Sequence, residues 1–243
     1  MKTIIIVQAR MTSTRLPGKV LKRVLNKPLL EYQIERLRRV KLADAIVIAT
    51  TTNDTDRPII ELCDRLFIPY FRGSEEDVLA RYYKAAKEHH ADVVVRLTSD
   101  CPLIDPQVID KVIQFYLEDK YDYVSNSLER SYPRGMDTEV FSFLALEQAF
   151  LEATAQPDRE HVTPFIYMHP ERYRLGNIVY SENQNSHRWT VDTADDFELI
   201  KRIIEALYPE IPNFTLEDCL NLLRQYPDWS LINAHVEQKK YAA

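Results

Sequence analysis

Runs of branched apolar residues recur through the first half of the chain, and each is followed by a segment with apolar residues at helical spacing. "TIIIVQA" (3–9), "AIVIATT" (45–51), "IPYFRG" (68–73), "DVVVRLTSD" (92–100) and "YDYVSNS" (121–127) read as strands. A strand apolar at successive positions is buried on both faces. Between them, Leu29, Leu30, Ile34 and Leu37 mark a helix over 28–40, with Pro28 in its first turn. The pattern repeats over 57–66. Ser74 heads a capping box, "SEED", for a helix that runs to about residue 90, and Pro106 opens another helix with Ile109, Val112, Ile113 and Tyr116 on one face. This alternation predicts an α/β fold, a doubly wound, mainly parallel sheet with helices on both faces.

The second half is less regular. Helices are expected near 144–152, after Arg159, over 195–207 and over 215–227, with strands in "YRLGNIVY" (173–180) and "WTVDT" (189–193). Residues 229–243 read as a terminal helix. No repeat, low-complexity tract or linker interrupts the chain. The expected organisation is one domain over 1–243. Residues 1–125 would form its regular, alternating half, 126–190 an irregular α+β insertion, and 191–243 a late strand end and C-terminal helices.

Net charge is −6 over 243 residues, whereas a nucleic-acid-binding chain is usually basic, so that class is set aside. No run of eighteen apolar residues occurs, so no membrane span is expected. The five-residue run near the N-terminus is too short for a signal-peptide core. Three widely spaced cysteines, Cys63, Cys101 and Cys219, argue for reduced thiols and a cytoplasmic location.

Against that acidic background, "QARMTSTRLPGK" (8–19) gathers Arg10, Arg15 and Lys19 around Thr12, Ser13 and Thr14. A basic loop is often only solvated surface. This one leaves the carboxyl end of the first strand, where open α/β sheets bind ligands. It lacks both G-x-G-x-x-G and G-x-x-x-x-G-K-S/T, so any phosphate there is held by side chains rather than by a glycine nest. Two acids end later strands: Asp100 in "RLTSDCPLIDP" and Asp192 in "RWTVDTADDF". Either could hold a metal. Either could equally belong to helix capping, with Asp105 and Thr193 as competitors for that role. A D-x-D spacing exists at Asp54 and Asp56, which leaves open a glycosyltransferase using a nucleotide sugar. A non-catalytic nucleotide-binding subunit is the other alternative.

The stretch "ARMTSTRLPGKVL" (9–21) resembles the signature loop A-R-x-x-S-x-R-L-P-x-K of the CMP-sugar synthetases, the acylneuraminate and 3-deoxy-manno-octulosonate cytidylyltransferases. Along nearly the whole chain the resemblance is to the spore-coat polysaccharide biosynthesis protein F branch. It implies a Rossmann-like nucleotidyltransferase that forms a CMP-activated sugar from CTP and releases pyrophosphate, for surface polysaccharide synthesis. Carried over, Arg10, Arg15 and Lys19 bind the triphosphate, beside Ala9 and with Ser13 supporting the loop. The related synthetases have G-D-x-P at the place of Asp100 and V-D-T-x-x-D at that of Asp192, so both aspartates would hold Mg²⁺. Arg10, Lys19, Asp100 and Asp192 then form the catalytic set. Thr190 stands where the sialic-acid branch has a second acid, which argues against a dense two-metal cluster. Thr98 would touch the base, and Gly73 and Ser74 would line the base and ribose. The resemblance places Arg134, Asp137 and Glu139 on the hydroxyls of an acidic or amino sugar acceptor, such as a nonulosonic acid. It places Arg159, Glu160 and His161 on a carboxylate or phosphate of that acceptor. Relatives commonly form homodimers, for which 131–180 is the expected interface.

Overall fold

The computed structural model describes residues 1–118 and 120–238. In chain order the strands are β1 (Thr3–Gln8), β2 (Arg23–Val24), β3 (Lys27–Pro28), β4 (Ala45–Thr51), β5 (Tyr70–Gly73), β6 (Val93–Thr98), β7 (Tyr123–Ser125), β8 (Glu139–Ser142) and β9 (Leu175–Asn177). The helices are α1 (Leu29–Leu37), α2 (Arg57–Leu66), α3 (Val78–Glu88), α4 (Pro106–Glu118), α5 (Phe143–Glu152), α6 (Gln156–His161), α7 (Pro164–Tyr167), α8 (Ala194–Leu207) and α9 (Leu216–Gln225).

Seven strands form one sheet in the order β5-β4-β1-β6-β8-β7-β9, and β2 and β3 pair separately. The β5-β4-β1-β6 block is parallel, and β8 runs against both its neighbours. The expected mainly parallel, doubly wound sheet is thus observed. Alternation along the strands explains its two buried faces. Ile5 and Val7 of β1 pack with Leu30, Ile34, Ile59 and Ile109 of α1, α2 and α4. Ile4 and Ile6 pack with Leu79, Tyr82 and Leu146 of α3 and α5. All four β1 side chains are fully buried, each worth roughly 1.5–3 kcal/mol in area removed from water. A third cluster joins α8 and α9 to Trp189 and Val191. Cys63, Cys101 and Cys219 are buried free thiols.

Several local expectations shift. Pro28 pairs in β3 and precedes α1 instead of sitting inside its first turn. Ser74 does not cap α3. Its hydroxyl accepts from the Asp77 amide at 3.0 Å, and Asp77 is the cap, accepting from the Ala80 amide at 2.9 Å. The helix expected after Arg159 is two short helices, and Arg159 lies within the first. "WTVDT" is no ladder strand: its amides reach isolated carbonyls, Trp189 to Arg134 and Val191 to Asp100. In the terminal segment, Pro227–Leu231 is a 3₁₀ turn and 232–238 is not helical. The rest of the expected helix lies outside the described residues.

Gly135 fixes that late segment. It has φ +104°, and a Cβ there would stand 2.7 Å from the Trp189 carbonyl carbon and oxygen. Gly135→Ala should therefore destabilise the fold by about 1–3 kcal/mol. Thermal unfolding would show a lowered Tm, and an unchanged Tm would contradict the close approach.

Candidate active site

The loop after β1 is held from below by a buried acid. Asp56 is fully buried and accepts from the Met11 amide at 2.7 Å and from the hydroxyls of Thr50 and Thr51. The D-x-D spacing is therefore structural. Gly18 turns the loop at φ +69°, with its amide on the Met11 carbonyl, and delivers Lys19 into the interior. Ala9 and Ser13 line the resulting cavity, and Ala9 donates its amide to Ala49.

Lys19 is 8% exposed, and its ammonium stands 2.8 Å from Asp100 Oδ2 and 2.8 Å from Asp192 Oδ1. Neither acid caps a helix. Asp105 does so for α4, accepting from Gln107, and Thr193 does so for α8 through a capping box with Asp196. The loop and both acidic segments therefore meet at one rim. The Val191 amide also donates to the Asp100 carbonyl at 2.8 Å, which locks the two acidic segments together. Asp192 further accepts from Arg15 and from Arg188, each at 2.8 Å. Arg188 is itself anchored on buried Asp196 at 2.9 Å. Thr98, expected at the base, gives its hydroxyl to Asp100 Oδ1 at 2.6 Å and so orients that carboxylate.

Burial would raise the Asp100 carboxyl, but the Lys19 charge and the hydrogen bonds from Lys19, Thr98 and Cys101 outweigh it and hold it below its ordinary value. Burial opposes the Lys19 charge, yet the two carboxylates raise it above its usual value.

Arg10 is 40% exposed at its side chain and pairs with Glu75 at 3.2 Å. Glu75 also accepts from Thr12 and Asn53. Gly73 and Ser74 do not line the cavity. The wall there is made by Glu75, Glu76, Val78 and Arg81.

Two cavities open on this rim. One of about 370 Å³ lies against the loop, and one of about 650 Å³ lies toward β6 and β8. Both are lined by Gln8, Arg15, Asp100, Asp192, Glu160 and His161. Of the residues expected to meet an acceptor, Arg134, Asp137, Glu139, Glu160 and His161 line the larger cavity, and Arg159 does not. Arg159 is committed to Asp77 and to the Phe150 carbonyl at 2.7 Å, so it is a clamp between α6 and α3. Glu139 is committed too. It accepts from Arg96, from Tyr123 at 2.6 Å and from Thr163 at 2.6 Å, which leaves it an anchor under the cavity rather than a reader of hydroxyls. Asp137 pairs with Arg130 at 2.8 Å. The Arg134 guanidinium has no partner among the described residues. Burial, with Arg130 and Arg188 nearby, lowers its pKa against the pull of Asp137.

Glu160 and His161 are aimed by an unusual turn. Val162 has φ +74° and ψ −54°, and the Thr163 amide donates back to the His161 carbonyl at 2.9 Å. This is the rare hand of γ-turn at a β-branched residue, a conformation that costs free energy and clusters at functional sites. Burial lowers the His161 imidazole pKa, while Glu160 opposes and Arg96 reinforces the shift.

A parallel sheet whose first loop carries inward-facing cations, opposite two convergent carboxylates, defines a nucleotidyltransferase. Residues 4–225 match the sequence model of the cytidylyltransferase family, and the chain belongs to that family. It is 39% identical over 243 residues to an uncharacterized protein of Methanocaldococcus jannaschii, covering 99% of this chain and 98% of that one. It is 35% identical over 232 residues to the spore coat polysaccharide biosynthesis protein SpsF of Bacillus subtilis, covering 92% and 94%. The solved structure of a cytidylyltransferase from Leptospira borgpetersenii superposes with a TM-score of 0.91 at 31% identity over the whole of both chains.

Replacing Lys19 tests the rim directly. In the native fold the depressed Asp100 pKa contributes stability above the ordinary carboxylate range, and that contribution is lost as pH falls through the folded value. In Lys19→Met, only the Thr98 and Cys101 hydrogen bonds still oppose burial at Asp100, and its pKa rises. The variant should be about 3 kcal/mol less stable at pH 7, and the gap should narrow as pH falls toward 4. Urea unfolding in metal-free buffer at several pH values measures this, and a gap independent of pH would contradict the assignment.

Proposed function

We propose that the chain is a Mg²⁺-dependent cytidylyltransferase. In this reading a hydroxyl of an acidic or amino sugar, a nonulosonic acid among the candidates, attacks the α-phosphate of CTP in line. Pyrophosphate leaves, and the product is a CMP-sugar for surface polysaccharide synthesis in the cytoplasm. The observation that carries this reading is the convergence of Asp100 and Asp192 on a single point, each 2.8 Å from Lys19 Nζ.

Two carboxylates aimed at one position suit Mg²⁺, which commonly takes one or two protein carboxylates and completes its shell with phosphate oxygens and water. Among the described residues no group of three His, Cys, Asp or Glu is placed to hold a metal, so the substrate's own oxygens would complete the set. The bound ion would supply positive charge toward the α-phosphate and the departing pyrophosphate.

The chain's own residues do the rest. Arg10, Arg15 and Lys19 exchange their carboxylate partners for phosphate oxygens and neutralise charge that grows on the leaving group. Asp100 is held ionised by the Lys19 charge, and Asp192 is positioned by Lys19, Arg15 and Arg188. The larger cavity holds the acceptor, with the Arg134 guanidinium, which has no hydrogen-bond or ion-pair partner among the described residues, facing its acidic group and Asp137, Glu160 and His161 facing its hydroxyls. Fixing both reactants across the shared rim supplies much of the rate by orientation alone. The 1–125 half then serves the nucleotide and 126–190 the acceptor.

Purified protein given CTP, Mg²⁺ and a panel of acidic sugars should release pyrophosphate with at least one of them. Silence across the panel, with CTP still bound, would favour a non-catalytic subunit. Arg10→Ala should cut the rate on the order of a thousandfold. Arg134→Ala should raise the acceptor KM roughly ten- to a hundredfold and leave the CTP KM unchanged. An equal effect on both KM values would remove Arg134 from the acceptor site.

A further inference from the structure

The segment after the last helix has no task in the scheme above. Residues 232–238 follow the 3₁₀ turn at Pro227–Leu231 and return to the rim. A buried asparagine ties them down. Asn233 is 2% exposed, and its side-chain nitrogen donates to the Arg188 carbonyl and to Asp196 Oδ1, each at 2.8 Å. Two residues on, His235 Nε2 lies 3.1 Å from Asp195 Oδ2. Asp195 and Asp196 belong to the first turn of α8, so the segment is a strap tied across the start of that helix. Pulling Asn233 away would leave a buried carbonyl and a buried carboxylate each short of a donor, which holds the strap in one place.

At its far end Gln238 lines the larger cavity, and its Oε1 accepts from Arg188 Nη1 at 2.5 Å. A guanidinium only donates, so this contact fixes the facing of the amide: the oxygen is turned to Arg188 and Nε2 is turned away. Nε2 makes no hydrogen bond among the described residues. Arg188 also forms an isolated β-bridge with Arg134, whose guanidinium opens into the same cavity without a partner among the described residues. Two unused donor groups therefore enter one cavity, both fastened to Arg188, one through its side chain and the other through its backbone. Arg188 is in turn immobilised by Asp192 and Asp196.

We propose that Gln238 is an acceptor-binding residue whose Nε2 donates to an oxygen of the acidic group that Arg134 faces, and that Asn233 is the positioning residue that holds the strap carrying it. An amide suits this place because it adds a directed donor without adding charge. A further cation would stand against Arg188 and Arg134, which already oppose each other. The assignment rests on the reading of the larger cavity as the acceptor site and adds a residue to it.

Steady-state kinetics of the full chain test it, with pyrophosphate release from MgCTP as the readout and 3-deoxy-manno-octulosonate and N-acetylneuraminate as the acidic sugars. Gln238→Ala should raise the acceptor KM about tenfold and leave the CTP KM unchanged. Gln238→Glu sets a carboxylate against the acidic group and should raise the acceptor KM roughly a hundredfold. In an Asn233→Ala background, Gln238→Ala should add nothing to the acceptor KM, because residue 238 is no longer held at the cavity. Gln238 is exposed, so its variants decide the matter even if Asn233→Ala fails to fold. An acceptor KM unmoved in Gln238→Ala, or acceptor and CTP KM values raised by one factor, overturns the assignment of Gln238 alone. The full effect of Gln238→Ala persisting in the Asn233→Ala background overturns the role of Asn233. If neither sugar turns over, the acceptor reading falls and this assignment falls with it.

Discussion

The contact between one buried ammonium and two carboxylates organises this molecule. Lys19 reaches Asp100 and Asp192 across sequence separations of 81 and 173 residues, so a single side chain closes three distant segments onto one rim. Without a cation between them, two carboxylates this close would repel, and burial would push protons onto them. With it, Asp100 stays ionised and both carboxylates stay put. Arg188 and Arg15 extend the same balance around Asp192, and buried Asp196 holds Arg188 in place. The rim is thus charge-balanced within the chain itself, and its geometry is set before any ligand arrives.

The sheet was legible in the sequence because its strands are buried on both faces. "AIVIATT" announces itself through composition alone, and it is β4 from end to end. Residues 57–66 are likewise α2. "WTVDT" has similar composition and is not a ladder strand, because a strand needs a neighbour in register. Its Trp189 and Val191 amides find isolated carbonyls of Arg134 and Asp100, and its Asp192 and Thr193 amides find the Asp196 carboxylate, so no ladder forms. "SEED" misled for a nearer reason. Both Ser74 and Asp77 can cap, and the second does so, three residues later, with the first folded back onto it.

The site divides along the same line. The sequence points to which charged residues sit at strand ends and in the first loop, because those positions follow from topology. It does not disclose which charges are already paired. Arg159 and Arg134 look alike in the chain. One is clamped to Asp77, 82 residues away, and the other has no hydrogen-bond or ion-pair partner among the described residues. Glu139 looks like a free acid and lies under three donors. Glu75, Arg81 and Arg188 carry no individual role in the sequence reading, although they lie inside "RGSEEDVLARY" (72–82) and "RWTVDTADDF" (188–197). The only available signal was that "RGSEEDVLARY" and "RWTVDTADDF" carry more charge than a turn and a cap require.

Paired and unpaired charges fall on different parts of the rim, and the physics of exchange accounts for the division. A triphosphate carries several negative charges and can take Arg10, Arg15 and Lys19 away from single carboxylates, more so when a divalent cation relieves those carboxylates in turn. Pre-pairing those residues therefore costs little affinity and keeps the empty loop from collapsing under its own repulsion. A sugar carboxylate or the edge of a base brings one charge or none. It could not displace a buried carboxylate from a guanidinium, since such a pair is worth several kcal/mol to break. Groups meant to read weak ligands are best left without protein partners, at a cost in stability, and the Arg134 guanidinium in the larger cavity has none among the described residues. The γ-turn at Val162 is a further cost of the same kind, backbone strain carried to hold Glu160 and His161 at the seam. The stability surrendered at these positions has to come from elsewhere in the fold, and the doubly buried sheet beneath the rim is where the chain has it in excess.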